Sequence, residues 1–225
     1  MSSQDALNLL RTQSLTTVVQ NELEQRIIDG ILQPGMPLRE ASIANELGIS
    51  RGPVREAFRM LEERGLVQFE KNCGVRVREL ALEQARQIYQ IRVPLEALIA
   101  ELVTLSLTDS GRERLGAIIE AMDAAVQQHD ISGYTELNFR FHDLLAQLTG
   151  NEALYETYRR LVVQLKLVRS HSFRQLPHNL EVSLDEHRSI VQAISNGDAQ
   201  QAAALLSGHA SVSLSRVQQA ISEAV

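Results

Sequence analysis

The stretch from Glu40 to Arg78 constrains this chain more than any other, because it passes from helical period to strand alternation with a turn signal at each change. Ile43, Ala44 and Leu47 recur at helical intervals and run into Gly48, a residue suited to a helix C-terminus. Ser50 then reads as an N-cap, and Pro53 is tolerated in the first turn of a second helix, where its missing N–H has no helical partner. That helix is expected to bury Val54, Ala57, Met60 and Leu61 and to turn Arg51, Arg55 and Arg59 to another face. After Arg64-Gly65, the runs Leu66–Phe69 and Val75–Arg78 flank a short turn containing Gly74, the pattern of a β-hairpin. Two helices joined by a tight turn and followed by a hairpin predict a winged helix-turn-helix. In that form the start of the second helix meets base edges in the major groove of DNA, and the hairpin is the wing.

Charge agrees locally. Residues 50–78 hold seven Lys or Arg against four Glu, a balance of +3 inside a chain of net charge −6. An acidic protein with one basic element is expected to bind DNA through that element, with a salt-dependent backbone contribution. The 225 residues suit two modest domains, and with 44% hydrophobic but only 4% aromatic residues the cores must be largely aliphatic. No run approaches the roughly 18 apolar residues of a membrane span, and the N-terminus lacks the apolar core of a signal peptide. The expected location is therefore cytoplasmic, with no membrane partner. A single Cys73 excludes an internal disulfide.

The chain divides on this reading into a flexible N-terminus (1–14), a DNA-binding domain (15–79) and a helical domain (80–225). Leu15 to Asp29 reads as a helix through Val18, Val19, Leu23, Ile27 and Ile28. Beyond residue 80 the period is helical throughout, with breaks at Thr108–Gly111, Asp130–Gly133, Gly150-Asn151, around Pro177 and at Ser195–Asp198, which gives six helices. Ser110-x2-Glu113 resembles a capping box, and Asp198 is placed as an N-cap. The fold class is mainly α: a winged helix-turn-helix followed by an all-α six-helix bundle.

On that bundle Asn138 and His142, four apart, share a helix face, and His187 and His209 lie on later helices. Imidazole suits zinc and other first-row divalent ions, and three histidines with an oxygen donor leave coordination positions open. Spacing alone leaves ordinary polar-core or surface roles open as well.

The quoted motifs also carry resemblances. Gly30-x3-Pro34-Gly35-x2-Leu38, Glu40-x2-Ile43-Ala44, Leu47-Gly48-Ile49-Ser50-Arg51-x-Pro53-Val54-Arg55-Glu56-Ala57, Leu61-Glu62-x2-Gly65-Leu66-Val67 and Gly74-x2-Val77 together resemble the GntR-type bacterial transcription regulators over residues 15–79. That resemblance implies DNA contacts at Ser50, Arg51, Gly52 and Arg55 and at the wing tip, Gly74, with Lys71 and Asn72 beside it. Many members of the FadR-like branch have an arginine where this chain has Ala41; Arg39 is the expected substitute. From about residue 80 to 222, Arg92-x2-Leu95-Glu96, Asn138-x2-Phe141-His142-x2-Leu145, Gly150-Asn151, Glu186-His187-x2-Ile190-x2-Ala193-Ile194-x2-Gly197-Asp198 and His209 resemble the FCD ligand-binding domain of that branch. The resemblance implies a divalent metal on Asn138, His142, His187 and His209, zinc first, with nickel or manganese as alternatives. Asn138 stands where aspartate is more usual, and a neutral amide is a poorer ligand for a hard cation. The resemblance further implies a small organic acid bound over the metal. Arg92 could offer the acid's carboxylate a bidentate guanidinium, although a surface ion pair with Glu96 is an alternative role for it.

These readings point to a homodimeric transcription regulator, a repressor rather than an enzyme, that binds a pseudo-palindromic operator and responds to a small carboxylate. Two alternatives are a metal-dependent hydrolase joined to a DNA-binding domain and a regulator whose metal is purely structural.

Overall fold

Ser14 sets the start of the first helix, since its hydroxyl accepts the Thr17 N–H at 3.1 Å and so satisfies one of the donors that a helix N-terminus leaves open. The computed structural model describes residues 14–70, 74–175 and 179–222, with side chains in those ranges outside 168–179 and 220–222. The chain forms two compact units, Met1–Leu80 and Ala81–Val225.

In the first unit, α1 (Leu15–Ile28) buries Val19, Leu23, Ile27 and Ile28, and with them Gln20 and Glu24. Glu24 is paired at that depth with Arg64, whose Nη1 donates to it at 2.7 Å. α2 (Glu40–Leu47) ends at Gly48, whose φ of +66° is the left-handed conformation that closes a helix at little cost only for glycine. α3 (Arg51–Glu63) buries Val54, Ala57, Phe58 and Leu61 against α1 and α2. Phe58 is fully buried and Met60 only partly, which corrects the expectation for that face. Val54, Ala57, Phe58 and Leu61 form the stripe expected of a 3.6-residue period, and Met60 falls on its edge.

The hairpin pairs β2 (Val67–Glu70) with β3 (Gly74–Val77) in antiparallel register, Val67 opposite Val77 and Glu70 opposite Gly74. A third strand, β1 (Pro37–Leu38), pairs with the other edge of β3, so the sheet order is β1-β3-β2. Two residues are too few to show alternation, so the sequence carries no signal for this strand. Lys71, Asn72 and Cys73 lie outside the described residues.

The second unit holds six helices among the described residues: α4 (Leu82–Ser106), α5 (Asp109–Gln127), α6 (Ile131–Leu148), α7 (Glu152–Gln175), α8 (Asn179–Ser195) and α9 (Ala199–Ser222). Side-chain caps mark most of the starts. Thr108 accepts from Gly111 N, Asp130 from Gly133 N, Asn151 from Leu154 N and Asp198 from Gln201 N, at 2.9–3.1 Å. Thr108, not Ser110, is thus the cap of α5; Ser110 already lies in the first turn. α4 packs along α9, α6 along α5 and α7, and α8 along α9. Ile99, Val103, Leu115, Met122, Phe141, Leu145, Ile190 and Leu206 are among the fully buried core residues of this unit. Burial of each such side chain is worth about 1.5–3 kcal/mol relative to exposure.

Candidate functional site

Three histidines from three helices meet inside the second unit: His142 of α6, His187 of α8 and His209 of α9, at 1%, 0% and 3% exposure. One ring nitrogen of each lies within 4.8 Å of the others. The ring centroids are 5.5 Å apart for His142–His187, 5.3 Å for His142–His209 and 4.5 Å for His187–His209. Bringing them together needs the α8–α9 hairpin and α6 to present one face each to a common interior.

Each Nδ1 is engaged on the outer side. His142 Nδ1 lies 3.1 Å from Glu96, His209 Nδ1 lies 2.7 Å from Glu186, and the Tyr134 hydroxyl is 3.5 Å from His187 Nδ1. A carboxylate on Nδ1 fixes the tautomer with the proton on that nitrogen, which leaves Nε2 as a neutral donor for a metal. The two carboxylates are themselves held. Glu96, fully buried, accepts from Arg92 Nε at 2.8 Å and from the Tyr158 hydroxyl at 2.6 Å. Glu186 takes a bidentate pair from Arg216 at 3.0 and 2.6 Å. Burial pushes the Glu96 carboxyl up, but the adjacent His142 and Arg92 outweigh it and hold it well below the usual carboxylate range. Glu186, whose partial burial also works upward, is brought down to about 2 by its hydrogen bonds from His209 and Arg216.

Asn138 sits one turn before His142 on α6, 2% exposed, and its Oδ1 makes no hydrogen bond among the described residues. A buried amide oxygen without a donor is costly, and one turn before His142 on the same helix it is a candidate oxygen ligand alongside the three imidazoles. These residues fit a divalent ion of the zinc type: neutral nitrogen and oxygen donors with carboxylates behind two of them. Arg92 is buried at 3% and committed to Glu96, so the pair is an interior one and not the surface pair considered above. Sequence alone does not pick out Tyr134, Tyr158 and Arg216. Their available signal is spacing, Tyr134 two turns before His142 and Arg216 two turns after His209. His129 is exposed between helices, and Arg140 points to solvent.

In the first unit, Arg51 and Gly52 open α3 on an exposed surface, and nothing lies within 4 Å of where a Gly52 Cβ would stand. Ser50 is exposed at the N-cap without a capping bond from its side chain, and Arg39 is exposed at the N-cap of α2. Arg55, also exposed, donates from Nε and Nη2 to the two carboxylate oxygens of Glu40, both at 2.9 Å. Gly74 opens β3 at φ +88°, exposed at the hairpin tip, a backbone conformation that a side chain would strain. Arg51, Arg55 and Arg59 thus lie exposed along one face of α3, beside an unobstructed helix start, with Gly74 exposed at the start of β3.

No helix among the described residues is long and apolar enough to cross a membrane. Residues 5–77 match the model of the bacterial regulatory proteins of the gntR family, and residues 87–211 match that of the FCD domain. An HTH-type transcriptional regulator of Bacillus subtilis, YdhC, is 31% identical over 177 residues, covering 77% of this chain and 78% of that protein. The HTH-type transcriptional repressor RspR of Escherichia coli is 28% identical over 187 residues, covering 83% and 82%. The solved structure of E. coli McbR/YncC shares the fold, with a TM-score of 0.83 at 23% identity over 92% of this chain and 98% of that one.

Proposed function

We propose, from the premise that this chain belongs to the GntR family of bacterial transcriptional regulators and carries an FCD domain, that it is a metal-dependent, effector-responsive repressor. The family and its relatives are DNA-binding regulators of transcription, not enzymes. On this reading two copies bind a pseudo-palindromic operator in the cytoplasm, each through the start of α3 and the wing. Arg51, Gly52, Arg55, Ser50, Arg39 and Gly74 face the DNA, with Lys71 and Asn72 beside the wing tip. A divalent metal, zinc first and nickel or manganese otherwise, is held by Asn138, His142, His187 and His209. It offers open positions to the carboxylate of a small organic acid. Capture of that acid biases the DNA-binding heads only through a difference in its affinity for their two arrangements.

The observation that carries the reading is the convergence of three buried histidines, two of them backed by carboxylates. Arg92, spent on Glu96, acts on this view through His142 rather than by meeting the effector itself. Ile91, Leu98 and Leu105 lie exposed at seven-residue intervals along α4, and this apolar stripe supports self-association of the chain. The test is elemental mass spectrometry of the untagged chain beside His187→Ala, followed by gel-shift titration on a duplex selected by the purified protein. About one divalent ion per chain, lost in the variant, is expected together with a dimer by light scattering. A chain that takes up no zinc, nickel or manganese would refute the metal reading, and a monomer at micromolar concentration the dimer.

A further inference from the structure

The three exposed arginines of α3 are held in three different ways. Arg51 makes no ion pair among the described residues. Arg59 donates a single bond, at 3.1 Å, to Glu56 three residues back on its own helix. Arg55 reaches another helix: its Nε and Nη2 donate, both at 2.9 Å, to the two carboxylate oxygens of Glu40, fifteen residues earlier at the first position of α2. Two parallel bonds fix the plane of a guanidinium as well as its place, which one bond does not.

Stability does not account for this pair. The side chains are 53% and 27% exposed, and an ion pair that open to solvent contributes little to folding. Nor does affinity for the DNA backbone account for it. The hydrogen bonds from Arg55, helped by the charges of Arg55, Arg51 and Arg59, outweigh desolvation and hold the Glu40 carboxyl below the usual carboxylate range. A carboxylate among these arginines repels the phosphates of every duplex alike, so it can only weaken sequence-independent binding. What Glu40 can supply is geometry.

The donors left on Arg55 show what that geometry serves. A guanidinium carries five N–H donors, and Glu40 accepts two of them. Both hydrogens of Nη1 and the outer one of Nη2 are uncommitted among the described residues. Nη1 and Nη2 therefore keep an end-on pair of donors, the pattern that matches guanine O6 and N7 in the major groove. An arginine already fixed along its inner edge has less rotamer freedom to lose when it meets a base.

We propose that Glu40 is a positioning residue for sequence readout, bracing Arg55 so that the outer edge of its guanidinium reads a guanine. The proposal rests on the DNA-binding reading above, in which the start of α3 meets the major groove. Glu40 acts through Arg55 and contacts no base itself.

The test is a gel-shift titration of the full chain, at one salt concentration, on two probes. One is a duplex selected from a random pool by the purified parent, and the other is an unselected duplex of the same length. Glu40→Gln keeps the size of the side chain and removes its charge. It should bind the selected duplex about tenfold more weakly, and the unselected duplex as tightly as the parent or more so. A carboxylate that only repelled DNA would, once replaced, strengthen both; one needed only for folding would weaken both and lower the melting temperature. Next, 7-deazaguanine, which lacks the N7 acceptor, replaces each guanine of the selected duplex in turn. At one guanine it should weaken the parent about tenfold, Arg55→Ala no further, and Glu40→Gln about threefold or less. Undiminished binding of the selected duplex by Glu40→Gln, parallel losses on the two probes, no guanine with this pattern, or a full deazaguanine penalty in Glu40→Gln would overturn the proposal. If Arg51→Ala and Arg55→Ala bind the selected duplex like the parent, the DNA-binding reading of α3 fails and the proposal with it. If both lose that duplex while Glu40→Gln behaves as the parent, the proposal alone fails.

Discussion

Glu96→Gln separates what the interior ion pair does for folding from what it does for the histidine beside it. In the parent, Glu96 at 0% exposure balances Arg92 at 3% and takes hydrogen bonds from Arg92, His142 and Tyr158. Glutamine keeps the volume and one acceptor but leaves a buried guanidinium without its counter-charge, a change that costs about 3–5 kcal/mol. Against the 5–15 kcal/mol typical of a folded domain, that loss is about a fifth or more of the total. The same change turns the carboxylate behind His142 into a neutral acceptor, and losing such a partner lowers metal affinity about 10- to 100-fold. Urea unfolding reads the first effect and zinc competition against a chelator the second. The double variant Arg92→Leu/Glu96→Gln divides them. With the stranded cation gone, most of the lost stability should return, while zinc affinity stays reduced because His142 still faces an amide. A stability loss under about 1 kcal/mol in the single variant would refute the ion-pair argument. Zinc affinity that recovers in the double variant would refute the assignment of Glu96 to His142.

Asn138→Asp should raise zinc affinity at least about tenfold in chelator competition, since a carboxylate is the better ligand; unchanged or weaker binding would remove Asn138 from the donor set. Stripping the metal from the parent should lower its melting temperature, by the equivalent of about 2.7 kcal/mol where free metal stood at a hundred times its dissociation constant, and an unmoved melting curve would count against occupancy. Arg51→Ala should weaken operator binding by about 1–3 kcal/mol in a gel-shift titration while zinc content stays constant, and loss of zinc would contradict the separate roles of the two units. Phe58→Ala, at a fully buried position in α3, should destabilise the first unit by about 3–5 kcal/mol in urea, a smaller loss placing Phe58 outside the core.

How legible the molecule was depended on whether the controlling interaction was local. Gly48 and Asp198 read correctly from sequence because a cap needs only the residues within one turn of it. The exposed arginines of α3 followed from helical period for the same reason. Ser110 misled because two residues in that turn could cap, and Thr108 has the geometry to reach Gly111 N. β1 escaped notice because its partner in β3 lies far along the chain, with Leu38 opposite Val75. Within the second unit, sequence gave each histidine a helix and a face. Only packing could bring one nitrogen from each within 4.8 Å of the others. Arg92 shows the limit: four residues from Glu96, it was equally readable as a surface pair or a ligand clamp, and tertiary burial made it an interior support for His142. Caps, periods and turns are decided within a few residues of chain; burial, charge pairing and the convergence of the site depend on helices distant in sequence, and exist only once those helices have packed.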